Sequence, residues 1–387
     1  MALYRRIIFL LTPPVITLVG HLYLAERLVW AWPGSIPKII WLSCVALMYA
    51  CITAGFLIRH DKTTPFNDRI SWVAFTFLGL FSWLFVLTLL RDVLLFTLWL
   101  GQSWPPLGSW DTQRTRFYSA LLIVLVSLTA TVVGFFNARR TPKVVEVEIK
   151  IAGLPDALNG FSIAQITDLH IGPTIKKQFV QRVVRKTNAL DCDVIALTGD
   201  LIDGDVLGLA AHTQPLSQLE APWGVYAVTG NHEYYSGAEQ WVSEYTRLGM
   251  HVLQNEHVVL APNQETIVLA GVTDYDAGRF DAKQATDPKA ALAGSPNNAA
   301  IKILLAHQPR SMWAAAEAGF DLQLSGHTHG GQFWPWGHFV RLQQPLVAGL
   351  HRHKQLHIYI SQGTGYWGPP MRVGAQSEIT HIRLRAV

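Results

Sequence analysis

A chain of 387 residues that is half hydrophobic and only 15% charged is too apolar to be an ordinary water-soluble globule. Its charge is also divided. Residues 1–140 carry 12 Lys and Arg against 5 Asp and Glu, the remainder 19 against 22, so the C-terminal part lacks the cationic bulk that coats a phosphate backbone, which counts against a nucleic-acid partner. Three cysteines, two of them (Cys44 and Cys51) in an apolar run, leave neither a disulfide framework nor a thiolate metal site.

A helix needs roughly 20 mostly apolar residues to cross a bilayer. Four segments meet that length, 7–30, 39–58, 70–90 and 118–136, and they predict a four-helix transmembrane region over residues 1–140. Trp30, Trp32, Trp41, Trp104 and Trp110 cluster at segment ends, where an amphipathic ring suits the headgroup layer. Arg5 and Arg6 precede the first segment as they would in a signal peptide. The run is long, however, lacks a small-residue cleavage site and is followed by three more, so it reads as a retained helix. Arg91 and Asp92 read as the end of the third span, with 93–100 continuing as an interfacial segment.

Orientation follows from Lys and Arg in the short connections. Arg5, Arg6, Arg59, Lys62, Arg69, Arg139, Arg140 and Lys143 fall on one side; Lys38, Arg114, Arg116 and Arg27 fall on the other. The bias predicts a multi-pass protein of the cell membrane with its C-terminal domain in the cytoplasm.

Beyond residue 141 the pattern changes. Residues 144–151 alternate Val145, Val147, Ile149 and Ile151 with Glu146, Glu148 and Lys150, a half-buried strand. "FSIAQITDLH", "DVIALTGDLID", "WGVYAVTGNHEYY", "TIVLAGVTDY", "IKILLAHQP", "DLQLSGHTHGGQ", "HIYISQG" and "EITHIRLRAV" each begin with an apolar strand. "KKQFVQRVVRKTNAL" and "AEQWVSEYTRLGM" read as helices between them. Strands alternating with helices predict an α/β domain over 141–387.

Five of these strands end in side chains that bind metals. They deliver Asp168 and His170, Asp200, Asn231 with His232, His307, and His327 with His329. In open α/β sheets, loops at the carboxyl ends of strands converge on one crevice. The candidate ligands are Asp168, His170, Asp200, Asn231, His307, His327 and His329. All offer nitrogen or oxygen, a set suited to Mn, Fe, Zn or Ni rather than to Ca or Mg. Seven ligands exceed one tetrahedral zinc and suit two divalent ions about 3.5–4 Å apart. Gly326, Gly330 and Gly331 would allow His327 and His329, two residues apart, to face different ions. Asp203 is placed either to orient a ligand or to cap the following helix. Arg372, in "GPPMRVG", is a candidate for binding a substrate phosphate, set against a plain surface arginine. His351, His353 and His357 read as solvated.

The blocks "DLH" at 168–170, "GDLID" at 199–203, "GNHE" at 230–233, "AHQP" at 306–309 and "GHTH" at 326–329 stand in this order in the chain. The pattern resembles the calcineurin-like metallophosphoesterases over residues 144–387. The extended "GHTHGGQ" and the later "YISQGTG" resemble the family's bacterial, membrane-associated branch, some members of which cleave a nucleotide-linked lipid precursor. The resemblance implies a four-layer αββα sandwich. It implies one ion on Asp168, His170 and His329, a second on Asn231, His307 and His327, and Asp200 between them. It also implies that His232 acts on the scissile phosphate as hydrogen-bond donor or general acid.

These readings lead to a membrane-anchored phosphohydrolase that uses hydroxide bridging two metal ions, with membrane lipids as neighbours and an amphiphilic phosphate-containing substrate. A phosphoprotein phosphatase and a catalytically silent membrane sensor or scaffold are the alternatives. Retention of every ligand position counts against the silent form. Oligomeric state is left open.

Overall fold

The computed structural model describes residues 2–58, 64–101 and 112–387, with side chains from Thr12 in the first helix and from Gln113 in the fourth. The side chains of Arg5 and Arg6, and all of Arg59, Lys62, Trp104 and Trp110, lie outside the described residues. The chain divides into two compact units. One takes in the chain to Phe136 with Gly368–Met371, the other Asn137–Trp367 with Arg372–Val387.

The first unit is helical: α1 (Ala2–Val29), α2 (Ser35–Ile58), α3 (Pro65–Gly101) and α4 (Thr112–Arg139). Leu24, Leu28, Met48, Ile52, Leu84, Ala120 and Ile123 form its core. Close approach of α2 and α3 depends on small residues, since a Cβ at Gly55 would lie 2.2 Å from that of Ala74. The outer faces are the reverse of a soluble bundle, with Ile39, Ile40, Leu47, Val73, Leu122 and Leu125 exposed. Among the described residues, α2, α3 and Gln113–Arg139 are long and apolar enough to cross a membrane. α3 runs unbroken for 37 residues, so 93–100 continue the same helix past Arg91 and Asp92. Arg91 and Asp92 turn inward, where Arg91 donates to Ser119 of α4 and to the Arg27 carbonyl of α1 and Asp92 pairs with Arg27, and no proline interrupts the following turns.

The second unit holds β1 (Lys143–Ile151), β2 (Ser162–Ile166), α5 (Lys177–Asn188), β3 (Val194–Thr198), α6 (Val206–Thr213), β4 (Val225–Val228), α7 (Asn231–Ser236) and α8 (Ala238–Arg247). There follow β5 (His251–Val252), β6 (Glu256–Leu260), β7 (Ile267–Gly271), α9 (Pro288–Ala291), β8 (Ile301–Leu305), α10 (Met312–Ala318), β9 (Leu322–Ser325), β10 (Gly349–His353), β11 (Leu356–Ile360) and β12 (Glu378–Ala386). They form two six-stranded sheets, ordered β1-β12-β2-β3-β4-β5 and β10-β11-β9-β8-β7-β6. β2, β3 and β4 pair in parallel, as do β7, β8 and β9. Strands buried on both faces need continuous apolar runs, which "SIAQI", "VIALT" and "VYAV" provide.

Three apolar layers hold the sheets and helices together. Ile163, Val194, Ala196 and Val228 of the first sheet meet Leu269, Ile303, Leu305 and Leu324 of the second. Phe179, Val180, Val183 and Trp241 pack α5 and α8 on the outside of the first sheet. Met312, Ala315 and Ala316 do the same for α10 on the second. The order is therefore helix, sheet, sheet, helix, the four-layer sandwich. Gln165 ties the two sheets behind the strand ends, donating from Nε2 to Thr198 Oγ1 at 2.8 Å and to Ser325 O at 2.9 Å.

Trp241 is fully buried and donates from Nε1 to Gly204 O at 2.9 Å, which anchors the loop after β3. Trp241→Ala is expected to cost about 3–5 kcal/mol, read as a lower unfolding midpoint. Trp241→Phe, which keeps an aromatic ring and loses the hydrogen bond, is expected to cost less.

Candidate metal centre

The five polar strand ends meet at one edge of the sandwich. Directly after β2, β3 and β9 the backbone turns sharply. Asp168, His170, Asp200, His327 and His329 all adopt positive φ, between 49° and 71°. Such a conformation costs of order 1–3 kcal/mol in a non-glycine residue and persists only where its surroundings enforce it. The enforcing bonds are visible. Asp168 N donates to Gly199 O at 3.0 Å, His170 N to Asp200 O at 3.1 Å and Gly326 N to His307 O at 3.0 Å. Gly330 and Gly331 are also left-handed, as anticipated. Gly326 serves differently: it is needed for room, since a Cβ there would sit 2.2 Å from Asp168 Oδ2.

Three sets of side chains bring their ligand atoms within 4.8 Å of one another: Asp168, His170 and His329; His170, Asp200 and His232; Asp200, His307 and His327. Asp200 belongs to two of them. His170 Nε2 faces His329 Nε2 at 3.0 Å, and His307 Nε2 lies 3.0 Å from Asp200 Oδ2 and 3.2 Å from His327 Nδ1. Asn231 opens α7 beside them, and its buried Oδ1 has no hydrogen-bond partner among the described residues. An orphaned amide oxygen beside facing ring nitrogens is what a divalent cation satisfies, so the residues fit the metal ions this donor set calls for.

The outer nitrogens and oxygens are also engaged. His307 Nδ1 lies 2.8 Å from Thr198 O, which places a proton there and turns Nε2 inward toward Asp200. Asp203 accepts from His170 Nδ1 at 3.2 Å and from His232 Nδ1. Helix α6 is capped instead by Asp205, whose carboxylate accepts from Gly208 N. Of the two roles weighed for Asp203, the orienting one is therefore the one this geometry contains.

Arg372 is a correction. It is 1% exposed rather than a surface residue. Its guanidinium donates to the carbonyls of Gly365, His329, Gln362 and Gly363, and Nη2 lies 3.3 Å from His329 Nδ1. All five N–H groups are thereby used, with none left for a substrate phosphate. Arg372 holds the His329 turn.

Burial and mutual charge set the protonation of the cluster. Burial pushes the Asp168 carboxyl up. For Asp200 burial acts in the same direction, but His307, His232 and His170 outweigh it and hold the carboxyl far below the usual range. Asp203 is held low against burial by His232 and His170. Burial brings His327 down to about 3 and, with His170 and Arg372, brings His329 well below its ordinary value. Both rings are thus neutral, the form that binds metal. His307 goes the other way: Asp200 raises it in spite of burial.

Residues 161–331 match the calcineurin-like phosphoesterase family model. A transmembrane protein with metallophosphoesterase domain from Danio rerio is 34% identical over 99% of this chain and 90% of its own length. The Bos taurus protein of the same description is 34% identical over 90% of this chain and 81% of its own. The chain belongs to the calcineurin-like metallophosphoesterases. An uncharacterized metallophosphoesterase of Helicobacter pylori is also similar, 38% identical over 70% of each chain. The metallophosphoesterase is accordingly a metal-dependent phosphoester hydrolase, and its apolar helices and transmembrane-named relatives support a membrane protein.

Several residues of this metallophosphoesterase's site escape the sequence reading. Glu233, fully buried, accepts from Asp200 N at 3.0 Å, Leu201 N at 2.8 Å, Gly230 N at 2.7 Å and Tyr245 Oη at 2.8 Å. A glutamate three residues beyond the N-cap glycine was its legible signal. Burial, with Asp200 nearby, lifts its carboxyl to about 6. Asp274 ends "TIVLAGVTDY" by the same strand-end rule and accepts from Gln308 Nε2 at 3.1 Å on both oxygens. Thr167 Oγ1 lies 2.8 Å from Asp168 Oδ2.

Asp203→Asn is expected to reduce kcat by about 10²–10⁴, the size of a general acid–base contribution. Bound metal should fall much less, as metal analysis of the purified variant would check. In metal-free protein, burial raises the Asp274 carboxyl from 3.8 to about 6. The folded state then binds this proton more tightly than the unfolded chain does. That contribution is complete below pH 3.8 and fades as pH rises to about 6. Over that interval the stability of Asp274→Asn relative to wild type is expected to rise by about 3 kcal/mol, measured by urea unfolding in chelator.

Proposed function

We propose that this hydrolase is anchored in the membrane and cleaves an amphiphilic, phosphate-containing substrate at a dinuclear centre. The observation that carries the substrate class is an aromatic wall beside His232. Tyr235 and Trp367 lie 5.2 and 5.8 Å from the His232 ring, centroid to centroid, and Phe280 lies 5.7 Å from Tyr235. Tyr235 is 62% exposed, Phe280 53% and Trp367 43%. Aromatic faces left open at the rim of a strongly polar centre suit a phosphate that carries an apolar group.

In this reading Asp168, His170 and His329 hold one divalent ion, Asn231, His307 and His327 hold the other, and Asp200 serves both. When bound, two such ions neutralise phosphate charge and bring the pKa of water down to about 7. His232 does the proton work. Its Nδ1 proton is held by Asp203 and its Nε2 faces inward, 4.0 Å from Asp200 Oδ2. As an imidazolium supported by Asp203, it gives the Nε2 proton to the leaving oxygen. Glu233 keeps the Asp200 and Asn231 turns in register through their amides, and Arg372 does so for His329. The three helices long and apolar enough to cross a membrane, with the Lys and Arg bias, support a multi-pass anchor with the hydrolase on the cytoplasmic side.

The test compares a lipid-linked phosphoester or pyrophosphate in vesicles with its water-soluble analogue, on protein loaded with manganese. A kcat/KM at least about tenfold higher for the lipid form is expected, with Tyr235→Ala and Trp367→Ala losing most of the preference and Asp200→Ala serving as blank. Equal rates on both forms, or a preference for a phosphopeptide, would sink the amphiphile reading. A C-terminal reporter active only on the outer face would reverse the orientation.

A further inference from the structure

The end of the helical unit where α1 finishes and α4 begins contains a cavity of about 510 Å³. Its polar lining is Glu26, Arg27, Arg91, Asp92, Thr115 and Arg116, three cations against two carboxylates. Arg91 is the unusual member, only 8% exposed in the middle of a long apolar helix. Its Nε donates to Ser119 Oγ at 2.9 Å and its Nη1 to Arg27 O at 3.2 Å. The other three of its five N–H groups have no acceptor among the described residues.

The adjacent carboxylate makes its short contacts elsewhere. Asp92 accepts from Arg27 Nε at 2.9 Å and from Tyr23 Oη at 2.7 Å, and Glu26 also pairs with Arg27, at 3.3 Å. Arg91 and Arg116 therefore line the cavity with no carboxylate in ion-pair range among the described residues. A buried arginine at membrane depth is costly unless an anion or a set of acceptors meets it. The apolar part of the wall is mostly aromatic. Trp30, Phe96 and Trp99 face the same space, with Phe96 and Trp99 stacked at 5.9 Å. The volume falls within the range of ligand sites.

We propose that this cavity binds a phosphate group carried on an apolar tail, the phosphate on Arg91 and Arg116 and the start of the tail along Trp30, Phe96 and Trp99. Bidentate guanidinium donors match phosphate oxygens, and indole rings match the boundary between headgroup and chain. The site is separate from the catalytic cluster and uses none of its residues.

The test is native mass spectrometry of the full chain in detergent, titrated with phosphatidylglycerol, with phosphatidylcholine and with glycerol 3-phosphate. Wild type is expected to retain phosphatidylglycerol at least about tenfold more tightly than phosphatidylcholine, and Arg91→Gln to lose about tenfold of that affinity. Arg116→Gln and Trp99→Ala change exposed side chains and keep the test decisive should Arg91→Gln misfold; each is expected to weaken retention at least about threefold. Displacement of the lipid by glycerol 3-phosphate at equal concentration would make the ligand a soluble phosphate and overturn the role of the tail. Equal retention of the two lipids, or Arg116→Gln and Trp99→Ala both matching wild type, would overturn the site.

Discussion

Bringing Asp168, Asp200 and Asp203 to one edge among five imidazoles is the constraint on which the second unit depends. Each buried carboxylate carries a desolvation penalty of several kcal/mol, and the cluster is tolerable only because every charge has an opposite or a donor beside it. The two-sheet architecture makes that possible. Parallel strands release their chains at a common edge, and the left-handed turns that follow point consecutive side chains into one space. Rigidity behind the edge comes from Gln165 between the sheets and from Glu233 beneath two of the turns.

The helical unit is governed by a different balance. Its outward faces carry large apolar side chains that water would not tolerate, so a hydrocarbon surrounding completes it. Within the bundle, close packing at Gly55 and Ala74 takes the place of a hydrophobic driving force that lipid cannot supply. Around Arg27, Arg91 and Asp92 charge is shared between α1 and α3, with Ser119 of α4 accepting from Arg91.

Much of this was legible in the residues alone. The buried parallel strands announce themselves as short apolar runs, and the ligands sit immediately after them, so strand ends and candidate ligands emerge together. What was missed has physical reasons. β5 is two residues long, and β10 alternates exposed with half-buried positions in "GLHRH", so neither presents an apolar run. Local pattern also cannot reveal that Ser119 and Arg27 await Arg91 and Asp92. Arg372 suggested a surface or substrate role because arginines are seldom fully buried. The carbonyls that make its burial tolerable come from Gln362, Gly363, Gly365 and His329, and no local window of sequence joins them to it.

The aromatic wall has a consequence of its own. Tyr235 stands near the end of α7, Phe280 in the connection between β7 and β8, and Trp367 in the connection between β11 and β12. None of the three carries a candidate ligand, and two stand on segments that lie outside the five ligand blocks. Mutation can therefore reshape what the rim accepts while the hydrolytic machinery stays intact. Such a division gives natural variants a route to diverge in taste without first losing their chemistry.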